Sequence, residues 1–276
     1  MHVYIIGAGK VGRALARAIR AAGWPVHLRP ARKGLPRRPI AADLLVLAVR
    51  DRDLSPLAAS LAEQGLVGRK TACVHVAGAM GAEALEPLRA VSAGVAQMHP
   101  MISFASTSRS PTLSRGNVRV DGDPTAARRA AALAKRLGMT PRALRGIDPV
   151  GYHASAGLLA NGAAALAAVS AELLVRSGVP RPQAPRLLGP LLRSVADNVE
   201  SLGFPEALTG PVRRGDVAGV AKHLTLLGEL LPEAIPLYRA AGLAQLPLAR
   251  ALSDAPSTAF DAIDALLRTP PARTGD

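Results

Sequence analysis

A short apolar strand, His2 to Ile6, runs straight into Gly7-Ala8-Gly9-Lys10-Val11-Gly12, and this junction constrains the fold more than any other segment. Beyond it, Val11, Leu15, Ile19 and Ala22 recur at helical spacing, so the glycines stand between a strand and an amphipathic helix. Each glycine has a physical task. Gly7 makes the tight turn, Gly9 lets the backbone approach a pyrophosphate, and Gly12 lets the helix pack closely on its strand. The helix start offers free N–H groups and the positive end of its dipole to phosphates. Gly7, Ala8, Gly9, Lys10, Val11 and Gly12 are therefore the first cofactor-binding candidates. The plain alternative is a tight turn that binds nothing.

Strand and helix signals keep alternating to about residue 145, which predicts a parallel sheet. Strands are expected at Val26 to Arg29, Leu44 to Val49, Thr71 to Val76, Val95 to His99, Val118 to Asp121 and near Thr140. Helices are expected over Asp53 to Gln64, Ala82 to Ala90 and Ala126 to Leu137. The second link carries Pro30, Gly34, Pro36 and Pro39, too broken for a crossover helix, so this corner of the sheet should be abbreviated. From Pro149 the strand signals stop. A long alanine-rich helix, Val150 to Arg176, precedes helical segments near Arg186–Ser201, Asp216–Leu230, Glu233–Ala241 and Ser257–Leu267, and the tail from Thr269 should fray. The fold class is α/β: a Rossmann-type mostly parallel sheet domain over residues 1–147, then an all-α helical domain over 148–276. This arrangement places the active site in a cleft between them, facing the carboxyl ends of the strands. Ala48 and Val49 after the third strand, and Ala77 and Gly78 after the fourth, join the cofactor-binding candidates.

Composition narrows the partners. Of 34 basic residues only five are lysine, and the arginines are scattered rather than clustered, so the +14 charge reads as compositional bias and no nucleic-acid partner is expected. Cys73 lies in an apolar run and should be a buried, unreactive thiol. No cluster of ligand residues suggests a metal, and the N-terminus lacks a signal-peptide pattern. The apolar stretch Leu158 to Val175 contains Asn161, Ser170 and Glu172, which favours a buried helix over a membrane span. The expectation is a soluble, cytoplasmic protein with no membrane partner.

The end of the second strand reads Leu28-Arg29-Pro30-Ala31-Arg32-Lys33, with no acid until Asp43. An NAD site would carry an acid here. A guanidinium fork instead suits a 2′-phosphate, so Arg29 and Arg32, helped by Lys33, favour NADP over NAD, against the plain reading of surface charge. His75-Val76-Ala77-Gly78 and His99-Pro100 both fall where strands end. His99 can hydrogen-bond a substrate carboxylate or carbonyl, or cap a strand. Ser103 opens a Ser/Thr-rich stretch to Ser114, read as a mobile lid or a surface loop. His153, Gly157 and Asn161 are spaced four apart and share a helix face. That face fits a carbonyl or imine, with His153 as proton donor and Asn161 as an orienting hydrogen bond; helix packing is the alternative. In Ala207 to Asp216, Thr209, Arg213 and Arg214 could bind an acidic substrate, while Asp216 can cap the next helix.

In chain order the motifs are the glycine turn, His75-x-x-Gly78, His99-Pro100, Tyr152-His153 with Asn161 eight residues after His153, and Leu208-Thr209-Gly210-Pro211-x-x-Arg214-Gly215-Asp216. Over nearly the whole chain this pattern resembles a bacterial family with a Rossmann-like N-terminal domain and a helical C-terminal domain of unassigned function. That family is related to the pyrroline-5-carboxylate reductase, ketopantoate reductase and 6-phosphogluconate dehydrogenase group. His99-Pro100-Met101 is also similar to a motif of prephenate dehydrogenases. The resemblance implies NAD(P)-dependent reduction of a carbonyl or imine on a small acid, by a homodimer paired through the helical domains. Ketopantoate is the best single substrate; a prephenate-like dehydrogenase and a non-catalytic NADP sensor are the alternatives. One position departs from the related enzymes. Hydroxyacid dehydrogenases and ketopantoate reductases carry a lysine four residues before the asparagine, and here that position is Gly157. His153, one turn earlier, is the candidate to take over proton transfer.

Overall fold

The computed structural model describes residues 1–269, so the tail expected to fray lies, beyond Thr269, outside the described residues. A seven-stranded sheet of order β2-β1-β3-β4-β5-β6-β7 forms the first part of the chain. Its strands are β1 (Val3–Ile6), β2 (Val26–Arg29), β3 (Leu44–Leu47), β4 (Ala72–His75), β5 (Val95–Pro100), β6 (Asn117–Gly122) and β7 (Thr140–Arg142). Every pairing is parallel except β5 with β6. The helices are α1 (Lys10–Ala21), α2 (Asp51–Glu63), α3 (Glu86–Arg89) and α4 (Pro124–Arg136), then α5 (Pro149–Arg176), α6 (Ala184–Leu202), α7 (Val217–Leu230), α8 (Ile235–Leu252) and α9 (Ser257–Arg268). The Rossmann-type sheet followed by helices is the class read from the sequence.

Alternation along the strands decides what each face buries. Val3, Ile5, Leu44, Val46, Val74, Ala96 and Met98 pack against Leu15, Ile19, Ala130 and Leu133 of α1 and α4. Ile6, Leu45, Leu47, Cys73 and Val95 pack on the other face with Leu54, Ala58 and Leu61 of α2 and Leu85 and Leu88 near α3. Burying each such leucine or isoleucine is worth roughly 1.5–3 kcal/mol. Cys73 is buried as expected, and burial pushes its thiol up to about 12, which keeps it protonated and inert.

Local chemistry moved several element boundaries. Between β2 and β3 only a 3₁₀ turn, Ala31–Lys33, forms, which is the abbreviated corner the prolines demand. The helix expected from Ala82 to Ala90 divides into a 3₁₀ turn, Ala82–Leu85, and the short α3, with Pro87 in the first turn of the latter. The expected helix Glu233–Ala241 instead runs on to Leu252 as α8. Gly242 does not stop it, because a side chain there would press on Leu267 of α9 and the glycine serves close helix packing.

By its contacts the chain divides into a unit over Met1–Ala160 and a second from Asn161 onward. The sequence-based division at 147/148 follows the end of the strands, whereas the opening turns of α5 group with the sheet. In the second unit Val212, Val220, Leu246, Phe260 and Ile263 form the core. One expectation is corrected. The Leu158 to Val175 stretch is not buried: α5 has no buried residue, and Leu158 and Leu159 are 79 % and 75 % exposed. By length and composition alone α5 could cross a membrane. Towards its C-terminal end, Val169 and Leu173 are partly covered by Leu227, Leu231 and Ala234.

Candidate active site

The glycine turn is built as its sequence requires. Gly7 has φ +117°, and a side chain there would run into the backbone of Ala48 on the neighbouring strand. A side chain on Gly12 would collide with the Gly7 carbonyl. At Gly9 the opposite holds: a Cβ meets no atom within 4 Å. Gly9 is the N-cap of α1, no side chain caps that helix and no acid stands in its first turn. An open glycine before uncapped N–H groups fits a pyrophosphate. Arg13, which the sequence reading did not single out, donates from Nε to the Ala8 carbonyl at 2.8 Å and braces the turn.

A cavity of about 420 Å³ opens from this turn along the strand ends. Gly9, Lys10, Val11, Ala48, Val49, Ala77, Gly78, His99 and His153, all chosen from the sequence, line it. Val76 and Pro100 of the two histidine motifs line it too, together with Arg50, Asp51, Ile102 and Phe104, to which the sequence assigned no role. Ile102 and Phe104 also pack on the core, which fixes the start of the Ser103 to Ser114 loop. Arg17 of α1 ties that loop down further, donating to Ser110 Oγ and the Thr107 carbonyl, each at 2.8 Å. Ser103 itself is exposed and outside the lining.

The chemistry concentrates at Gly78. A Cβ on this glycine would lie 2.8 Å from His99 Nε2 and would clash with His153 Nδ1, so both imidazoles converge on one backbone position. Their ring centroids are 5.7 Å apart, edge to face. His99 comes from β5 and His153 from the first turns of α5, brought together although 54 residues separate them. The turn beneath them is held from below. The Ala77 N–H donates to His75 Nδ1 at 3.2 Å, so His75 carries its proton on Nε2 and gives it to the Gly81 carbonyl at 2.8 Å. Gln97 Nε2 donates to the Ala77 carbonyl at 2.7 Å. Burial holds the His75 pKa below its ordinary value. Burial, with the charges of His153, His75 and Arg119 adding to it, takes His99 down to about 4, so His99 is neutral at pH 7.

Tyr152, named in the sequence only as part of its motif, and Arg119, which was not singled out, surround His99 as well. Tyr152 Oη lies 3.4 Å from His99 Nδ1, and the Arg119 guanidinium sits 5.6 Å from the Tyr152 ring centre. Arg119 is 3 % exposed, pairs with Asp121 at 3.1 Å, and is the cross-strand partner of His99. The antiparallel β5–β6 register brings it there, and no local motif announces a register.

Two arginine assignments change. Arg29 spends Nε and Nη2 on the carbonyls of Gly34, Lys33 and Leu35, all at 2.8 Å, so it holds the 31–35 turn instead of presenting an open fork. Arg32 and Lys33 on that turn are exposed. Arg213 binds Asp254 at 2.6 Å and the carbonyls of Glu206 and Leu208, which makes it a brace of its own loop and not a substrate clamp. Thr209 and Arg214 are exposed in the second unit, and Asn161, its first residue, is exposed on α5. Asp216 caps α7 through the Gly219 N–H at 2.8 Å, as its position suggested.

Sheet topology and glycine turn define the class: a Rossmann-type sheet domain followed by helices. Family models give the particular kind: a Rossmann-like domain matches residues 1–100, and a domain of unknown function (DUF2520) matches residues 117–245. The chain thus joins a Rossmann-like N-terminal domain to a DUF2520 domain, with helices, at its C-terminal side. No curated protein matches it by sequence. Solved structures share the fold at low identity. A candidate NADP oxidoreductase of Bacteroides fragilis is 21 % identical with a TM-score of 0.68, over 88 % of this chain and 97 % of that one. The pyrroline carboxylate reductase of Plasmodium falciparum, solved with NADP bound, is 13 % identical with a TM-score of 0.61, over 96 % and 99 %. An imine reductase of Streptomyces aurantiacus is 15 % identical with a TM-score of 0.58, over 98 % and 100 %.

Proposed function

We propose that this protein is a soluble, cytoplasmic NADP-dependent oxidoreductase that reduces the carbonyl or imine of a small 2-oxo or imino acid, with ketopantoate the first substrate to test. The observation that carries the reading is the convergence of His99 and His153 over Gly78, in a cavity whose other end is the open glycine turn. Fold neighbours that are NADP oxidoreductases and imine reductases support the same chemistry. The bound dinucleotide supplies the hydride. Gly9 and the first N–H groups of α1 would hold its pyrophosphate, and the exposed Arg32 and Lys33 would meet a 2′-phosphate while Arg29 keeps their turn in shape.

His153 gives the proton to the substrate oxygen or nitrogen as reduction proceeds. It thereby takes over from the lysine whose place Gly157 occupies. His99, neutral at pH 7, cannot attract a carboxylate as a cation; it orients the carbonyl or imine by a hydrogen bond. General acid assistance of this type contributes on the order of a hundredfold to ten-thousandfold.

The exposed Leu158 and Leu159 of α5 support a homodimer paired through the helical part. NADPH oxidation screened over ketopantoate, pyrroline-5-carboxylate and related keto and imino acids tests the reading, with NADPH affinity measured by calorimetry alongside. The expected result is turnover of one such acid and a drop of at least about a hundredfold in His153→Ala. Tight NADPH binding with no turnover of any acid would replace the enzyme by an NADP sensor, and unchanged turnover in His153→Ala would remove His153 as donor.

A further inference from the structure

The dipeptide Tyr152-His153 places two aromatic side chains on adjacent positions of α5, about 100° apart around the helix. They meet His99 from different sides. His153 Nδ1 faces Gly78 beside His99 Nε2, while the Tyr152 hydroxyl lies 3.4 Å from His99 Nδ1. The tyrosine ring stands edge-on to the imidazole, with centroids 5.6 Å apart. Behind the tyrosine sits Arg119, whose Nη2 holds Asp121 and whose Nε reaches the Leu144 carbonyl at 3.4 Å. His99 thus has charged and titratable neighbours on three elements: His75 of β4, Arg119 of β6, and Tyr152 and His153 of α5.

A neutral imidazole carries one proton, and its two nitrogens then play opposite parts. If Nδ1 held the proton, Nε2 would offer a lone pair to the cavity and repel a carbonyl oxygen. If Nε2 holds it, the cavity receives an N–H donor. We infer that Tyr152 is the positioning residue that fixes His99 in the second form, its hydroxyl donating to Nδ1 so that Nε2–H points over Gly78 at the substrate oxygen or nitrogen. Arg119 favours this direction of the bond. A cation against the ring face draws electron density from the phenol, making the hydroxyl a better donor and a poorer acceptor. Arg119 also opposes a second positive charge on His99, and burial keeps the Tyr152 hydroxyl protonated. The inference deepens the reductase reading and rests on it for the identity of the hydrogen-bonded group, but the tautomer itself is a property of the free protein.

The test uses the full-length protein without cofactor. Long-range proton–nitrogen NMR of ¹⁵N-labelled histidines at pH 7 reports which ring nitrogen carries the proton, with His99 assigned by the loss of its signals in His99→Gln. Wild type is expected to show His99 as a single Nε2–H form. Tyr152→Phe, which keeps the ring and its contact with Arg119, is expected to show a mixture of tautomers while its circular dichroism is unchanged. In turnover, Tyr152→Phe should lower kcat about tenfold with NADPH affinity unaltered. A wild-type proton on Nδ1, or an undiminished Nε2–H form in Tyr152→Phe, overturns the inference whatever the kinetics show. If no acid is reduced, the reductase reading falls while the spectra still decide the tautomer.

Discussion

Gly9 and Gly12 are the same residue type for opposite reasons, and one methyl group on each separates them. A Cβ on Gly12 strikes the Gly7 carbonyl, so Gly12→Ala should distort the turn and lower both stability and NADPH affinity. A Cβ on Gly9 meets no protein atom, and the backbone there (φ −74°, ψ −166°) suits alanine. Gly9→Ala should therefore fold with Tm nearly unchanged and yet bind NADPH at least about tenfold more weakly, which calorimetry beside thermal melts will show. Equal affinity in Gly9→Ala would mean that no pyrophosphate lies against this glycine. His99 makes a prediction about stability and pH. Its folded pKa of about 4 lies below the ordinary 6.5, so between these values the unfolded chain holds a proton that the fold refuses. Stability then rises with pH from about 4 and levels off above 6.5, and His75, also lowered by burial, acts in the same sense. From His99 alone the fold should lose roughly 2 kcal/mol between pH 7 and pH 5. Urea denaturation at the two pH values measures the combined effect, and His99→Gln should reduce it by the His99 share of roughly 2 kcal/mol; an unchanged difference would place the lowered pKa elsewhere. These histidines were legible in the sequence because Pro100 directly follows His99 and Gly78 comes three residues after His75, marking strand ends. Arg119 was not, because its place beside His99 depends on which residue faces which across β5 and β6, and Tyr152 was legible only as part of its motif, since its contact with His99 joins α5 to β5.

Helices and strands were legible wherever local chemistry alone sets them. Glycine at the start of α1, prolines after β2 and an aspartate before α7 each act within one turn. Asp216 shows the size of such an effect: its carboxylate satisfies the Gly219 N–H, and Asp216→Ala should cost about 1 kcal/mol, with Asp216→Asn restoring most of it. Chemical denaturation of both variants checks this, and a loss that Asn cannot recover would point to a role of the charge beyond capping. The end of α8 was illegible for the converse reason. Gly242 looks like a stop signal by composition, but Leu267 of α9 packs against it, and tertiary contact overrides propensity. Arg29 and Arg213 mislead in the same way. An arginine near a glycine-rich site reads as an anion clamp, whereas each here spends its donors on the carbonyls of a neighbouring turn. Composition shows that a guanidinium is present and says nothing about which oxygens reach it first.

At the scale of the whole molecule, sheet and helices are buried very unequally. The sheet buries Val3, Leu44, Leu45, Val46, Leu47 and Val74 completely, while α5 leaves Leu158 and Leu159 exposed and α6 exposes Leu187, Leu191, Leu192 and Val195. Sequence alone predicts that α5 is apolar but cannot say against what it is covered, since a partner's surface leaves no mark in the covered chain. Apolar patches beyond a few hundred square ångströms on a water-soluble protein mark interfaces, and a closed two-fold pairing is the commonest way for a chain to cover such a patch. The proposed homodimer therefore predicts a mass in sedimentation velocity of twice the 28.4 kDa chain. Leu158→Glu combined with Leu159→Glu adds charge at positions that face no part of their own chain closely, so the fold should persist while dimers dissociate. Wild type that sediments as a monomer across micromolar concentrations would remove the dimer. Wild type that requires detergent to stay in solution would instead turn the apolar length of α5 towards a lipid bilayer, the one other environment that covers 28 residues of such a helix.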